Sequence, residues 1–108
     1  MKGFEPVNQE NFETTVLGSE KPYLVEFGAT WCAPCKRLEP DLEKLAENMG
    51  SRMSMGKIDV DESPDLAVKF TVMSVPTVIL FVAGEPKARI TGYQPLHKLE
   101  KILEENIP

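Results

Sequence analysis

The chain has 108 residues, the length of a single domain, with 42% hydrophobic and 27% charged residues, a balance that excludes collagen-like, low-complexity and wholly disordered chains. Two cysteines are too few for a disulfide-dense secreted scaffold. Twelve basic against seventeen acidic residues leave a net charge of −5, which argues against nucleic acid or an anionic membrane surface as the partner.

In chain order, Phe4 to Val7 reads as a short strand. Asn8 stands where a helix cap belongs, ahead of Phe12, Val16 and Leu17 at helical spacing and a stop at Gly18. After Pro22, the run Tyr23 to Ala29 is apolar and β-prone apart from Glu26, the pattern of a buried strand. A helix follows with Leu38, Leu42, Leu45 and Met49 on one face and Gly50 after it. Pro40 lies inside that helix and is expected to kink it. Met53 to Val60 is the next strand. Ser63-Pro64 has the form of a cap followed by a first-turn proline, opening a short helix through Leu66, Ala67 and Phe70. Thr77 to Val82 is a strand; Ala83-Gly84-Glu85-Pro86 connects it to another at Lys87 to Thr91. Pro95 opens a last helix with Leu96, Leu99, Ile102 and Leu103 on one side.

The order βαβαβαββα predicts an α/β domain over residues 1–108, with a mainly parallel central sheet made mixed by the late hairpin and helices on both faces. No run approaches the ~18 apolar residues of a membrane-spanning helix. The first six residues carry one lysine and no apolar stretch, so a signal peptide is not expected and a cytoplasmic location is. In that reducing compartment, a Cys-x-x-Cys pair points to reactive or metal-binding thiols before a structural bridge.

Cys32 and Cys35 sit where a strand passes into a helix. One chemistry open to them is thiol–disulfide exchange, in which one sulfur attacks and the other resolves the mixed disulfide. The helix N-terminus, with Lys36 in its first turn, favours a thiolate at Cys32. Thiolate formation alone gains little. Lowering a thiol pKa from ~8.5 to ~7 raises the ionised fraction at pH 7 roughly 16-fold. The loss of basicity takes back about fivefold. The nearby second sulfur contributes more, by making resolution intramolecular. A second possibility is half a zinc site, but no third cysteine exists and His97 is the only histidine. A third is a structural disulfide, whose four-residue loop gains only ~2 kcal/mol.

The run Trp31-Cys32-Ala33-Pro34-Cys35-Lys36 follows an apolar strand. With the proline-containing helix, Val75-Pro76-Thr77, a glycine-containing hairpin and Gly92, it resembles the thioredoxin family over essentially the whole chain. The resemblance implies the thioredoxin-like fold, a central mixed five-stranded sheet with helices on both faces. It implies a protein-disulfide reductase in which Cys32 is the exposed nucleophile and Cys35, tucked behind it, the resolving thiol. Disulfide-containing proteins are then its substrates, and a thioredoxin reductase restores the dithiol. No glycine-rich dinucleotide fingerprint is present, so no cofactor is expected. No metal is expected either, and the chain should act as a monomer.

Other site residues follow from the same resemblance. A charge within an apolar strand is either solvated or buried at a cost. The family carries a buried Asp at the place of Glu26, which implies that Glu26 accepts the Cys35 proton and that Lys57 is its partner. Gly28 replaces an aromatic residue found in many bacterial members and lies on the same strand face as Glu26, leaving room for the longer acid or a water. Ala33 replaces the usual glycine between the cysteines and stiffens the turn. The Val75–Pro76 bond is expected to be cis. Trp31, Ala33, Pro34, Val75, Pro76, Gly92 and Tyr93 are expected to form the substrate-binding surface, with Tyr93 bulkier than the residue usual there. Rival functions are an oxidising exchange protein on the same fold, and a docking module without redox turnover.

Overall fold

A computed structural model describes residues 1–108. Five strands form one sheet in the order β1-β3-β2-β4-β5, where β1 is Glu5–Pro6, β2 Tyr23–Gly28, β3 Ser54–Asp59, β4 Thr77–Val82 and β5 Glu85–Thr91. Three helices accompany them: α1 Ala33–Met49, α2 Pro64–Lys69 and α3 Leu96–Asn106. β2 alternates between two cores, as pleating demands. Leu24 joins Leu38, Leu42 and Leu45 of α1 and Leu99 and Leu103 of α3 on one face. Tyr23, Val25 and Phe27 join Phe12, Val16 and Leu66 on the other. Phe12, Phe70 and Phe81 meet there edge-on or tilted, with centroids 5.2 to 5.7 Å apart, geometries that aromatic quadrupoles favour.

Several expectations are corrected. The sheet is not mainly parallel: β1–β3 and β3–β2 are parallel, but β2–β4 and β4–β5 are antiparallel. α2 has six residues and advances only about 9 Å, less than half the length of the strand it would have to run beside. The chain re-enters the sheet at the end it left, β4 lying antiparallel beside β2. Asn8 does act as a cap, its Oδ1 accepting from the N–H groups of Glu10 and Asn11. The segment that follows is not an ordinary α-helix but a π-helical turn over Glu13–Leu17, closed by the Gly18 N–H on the Glu13 carbonyl at 2.9 Å. Ser63 occupies the cap position of α2 without a side-chain capping bond. The hairpin loop is only Ala83-Gly84, and Pro86 lies within β5. That proline is tolerated because β5 is an edge strand and the register slips there: Leu80 faces Ala88 while Phe81 faces Pro86.

This topology brings the end of β2, the start of α1 and the start of β4 to one end of the sheet. Phe27 of β2 is directly opposite Thr77 of β4. The loops leading away from β2 and into β4 therefore meet.

Candidate active site

Cys32 is the N-cap of α1, in extended conformation, and its Sγ accepts the Cys35 N–H at 3.1 Å. A sulfur in this position takes the place of the capping oxygen that serines and aspartates usually provide. Cys32 and Cys35 are joined as a disulfide with their Cα atoms 5.3 Å apart. Pro34 lies in the first turn, where its missing N–H costs nothing. Ala33 and Lys36 are exposed and Pro34 is half-buried. The expected exposure of Cys32 is corrected: the residue is only 2% exposed, nearly as buried as Cys35. The cause is the cap itself, which turns the sulfur back over the helix end to pack with Ala29, Cys35, Val60 and Val75.

The Val75–Pro76 bond is cis, and Val75 packs directly against the cysteines. The Pro76 carbonyl accepts the Gly92 N–H at 2.8 Å, so the loop before β4 is tied to the end of β5. Gly92 holds φ at +82°, the left-handed region that side chains disfavour. Neither the N–H nor the carbonyl of Val75 bonds to another backbone group. Trp31 is 67% exposed, and its indole N–H donates to Asp61 at 2.8 Å. It borders an apolar groove that includes Val60, Ala67, Val72, Met73 and Val75. Tyr93 is also exposed. It stands farther along α1, with its hydroxyl 3.3 Å from Asp41 and the Arg37 guanidinium over its ring.

Glu26 is fully buried, and neither carboxylate oxygen has a hydrogen-bond partner. Lys57 is its register neighbour on β3, yet the Lys57 ammonium pairs with Glu39 of α1 at 2.6 Å. The expected Glu26–Lys57 pair is thus diverted to an acid that lies closer to solvent. Gly28 faces the same space. A Cβ on it would lie 3.4 Å from Cys35 Sγ, 3.5 Å from Glu26 Oε2 and 3.6 Å from Lys57 Cε, so the sulfur and the acid flank the gap that this glycine leaves. Burial, and then the negative charge of Glu39, push the Glu26 carboxyl up to about 8, with Lys57 opposing the rise. Lys57 is held above its ordinary value: its own desolvation opposes this but is outweighed by the bond to Glu39 and the charges of Glu26, Glu39 and Asp59. Sequence reasoning missed Glu39 and Asp61. Glu39 had a signal, being four residues after Cys35 and so on the same helix face. Asp61 had none, because it reaches Trp31 across 30 residues of chain.

The family model for thioredoxin matches residues 3–105. A thioredoxin of Staphylococcus haemolyticus is 43% identical over 101 residues, covering 94% of this chain and 95% of that protein. A thioredoxin of Mycobacterium bovis is 43% identical over 102 residues, covering 94% of this chain and 88% of that one. A bifunctional thioredoxin reductase/thioredoxin of Mycobacterium leprae is 42% identical over 102 residues, which are 94% of this chain and 22% of that longer protein.

Proposed function

This chain belongs to the thioredoxin family, a protein-disulfide oxidoreductase acting by dithiol–disulfide exchange, and we propose the following division of labour for its site residues. Cys32, at the positive end of α1, attacks a substrate disulfide as thiolate. The Cys35 sulfur then attacks Cys32 in the mixed disulfide. The intermolecular S–S bond breaks, the Cys32–Cys35 bond forms, and the substrate leaves as a thiol after taking a proton from solvent. Glu26 accepts the Cys35 proton through a water in the gap at Gly28. The carrying observation is the Cys32 cap. A sulfur that already accepts the Cys35 N–H at 3.1 Å has a donor and a helix dipole in place to stabilise its negative charge.

The substrate strand lies against Trp31, Ala33, Pro34, Pro76 and Gly92 and pairs with the free backbone groups of Val75, a form of β-strand addition. Tyr93 borders this surface. The partners are disulfide-containing proteins and a thioredoxin reductase. The Mycobacterium leprae relative, whose name joins the two activities in one chain, supports the second. No helix here is long and apolar enough to cross a membrane, and we place the protein in the cytoplasm as a monomer.

Reduction of insulin by the wild-type protein, with NADPH and a thioredoxin reductase, tests the whole cycle. Cys35→Ser should accumulate a stable mixed disulfide with substrate, and Cys32→Ser should form none. On the reduced protein one equivalent of alkylating agent should label Cys32 first; equal labelling of the two thiols in mass spectra rejects the assignment.

A further inference from the structure

We propose that Glu39 is a positioning residue that, by drawing Lys57 to itself, governs the protonation of Glu26. This inference rests on the reading that Glu26 takes the Cys35 proton, and it adds a residue that neither the motif nor the strand pattern singled out.

Three observations carry it. Glu26 is fully buried, and no donor reaches either of its oxygens. A buried carboxylate without a partner is costly enough that it keeps its proton unless a cation is supplied. Its register neighbour Lys57 is bound at 2.6 Å to Glu39. Glu39 and Lys57 reach the surface, their side chains being 20% and 34% exposed, so Glu39 holds the neighbour of the buried acid towards solvent. Its negative charge, and its hold on the Lys57 ammonium, both keep the proton on Glu26.

Few other groups face Glu26. From α1 come Cys35 and Glu39. From β3 comes Lys57, with Asp59 acting on Lys57. β4 presents Val78, which is apolar and directly opposite. The N-terminal amine adds a weak opposing charge. Among these only Glu39 both raises the Glu26 carboxyl and occupies its counter-ion. During resolution the proton moves from the Cys35 thiol to ionised Glu26. No electron enters or leaves in this transfer.

The test is the titration of the Glu26 side-chain carboxyl, followed by carbon-13 NMR in the oxidised protein and in three variants. Glu39→Gln removes the negative charge and frees Lys57, so the midpoint should fall by about one pH unit or more, a tenfold change in the dissociation constant. Lys57→Met should move it the opposite way. Glu39→Asp, which keeps the charge, should stay nearer to wild type than Glu39→Gln does. A Glu39→Gln midpoint indistinguishable from wild type overturns the proposal. The rate of Cys35 attack on a preformed mixed disulfide, measured against pH, separates this from the parent reading. If the Glu26 midpoint moves but the rate profile does not, Glu39 still governs the proton, and it is the role of Glu26 as acceptor that fails.

Discussion

The indole N–H of Trp31 donates to the carboxylate of Asp61 at 2.8 Å, linking the loop before α1 to the loop after β3. The ring is two-thirds exposed, so packing alone does not hold it. Asp61 is in turn set by its own N–H, which donates to Asp59 Oδ1 at 2.8 Å. The bond orients a large apolar surface at the rim of the groove beside the cysteines.

Loss of this bond should be felt by large substrates and not by small ones. Asp61→Ala should raise KM for a protein disulfide by roughly 2- to 10-fold, the effect of one hydrogen bond worth about 0.5–1.5 kcal/mol. Turnover of a small aromatic disulfide should be unchanged, and Asp61→Asn should recover most of the loss because its amide oxygen still accepts. Steady-state kinetics on both substrates check this; equal loss on both would place Asp61 in the chemistry instead.

Glu26 makes stability depend on pH. Its carboxyl rises from 4.5 to about 8 on folding, a raised acid. Below pH 4.5 it is protonated in both states and has no effect. As pH rises from there towards 8 the unfolded chain releases its proton while the folded one retains it, so stability falls. The loss accumulates at about 1.4 kcal/mol per pH unit across that window. Above 8 both states are ionised and the whole penalty is present. The stability difference between Glu26→Gln and wild type should therefore move in favour of Gln by a few kcal/mol between acidic and mildly basic pH. Urea unfolding at pH values spanning this range measures it; a difference that stays flat with pH would show that the carboxyl titrates normally.

Gly56 of β3 lies under two side chains. A Cβ there would come within 2.7 Å of both Tyr23 Oη and Val7 Cγ2. Tyr23 cannot swing away freely, because its hydroxyl donates to Glu5 at 2.7 Å and its ring is buried. Gly56→Ala should cost about 1–3 kcal/mol, the range of an overpacked core, with the redox site unaffected. Chemical denaturation together with the alkylation rate of Cys32 distinguishes the two effects.

The hairpin between β4 and β5 offers a gain. Val82 faces Glu85, so the loop has two residues, and both Ala83 and Gly84 hold positive φ, at 52° and 81°. Such loops favour Asn-Gly, and an alanine in the left-handed region costs roughly 1–2 kcal/mol. Ala83→Asn should stabilise the fold by about 0.5–1 kcal/mol, read as an upward shift in Tm. A fall in Tm would mean that the turn adopts another form.

Much of the fold was legible because local chemistry specifies it. Leu38, Leu42, Leu45 and Met49 recur at helical spacing, and all four are buried against the sheet. The chain direction of β4 was not legible. Nothing local distinguishes a strand that returns parallel from one that re-enters at the end it left, and the pairing of β4 beside β2 decides it. The π-helical turn at Glu13–Leu17 was equally hidden, since Phe12 and Val16 reach the core with either winding.

At the site, the sequence by itself determined which atoms can react. Two thiols three positions apart at a strand-to-helix junction, a glycine two residues after an acid, and a proline before β4 are local facts that carry their own physical consequences. Only the tertiary structure decided what those atoms touch. Strand pairing set Lys57 beside Glu26, but the helix packed over that strand presents Glu39, and the ammonium turns to it. Trp31 is oriented by an acid 30 positions away. A side chain's partner depends on which elements are folded against it and at what distance. Charge and hydrogen-bond energies fall steeply over a few ångströms, a scale that residue spacing along the chain does not specify.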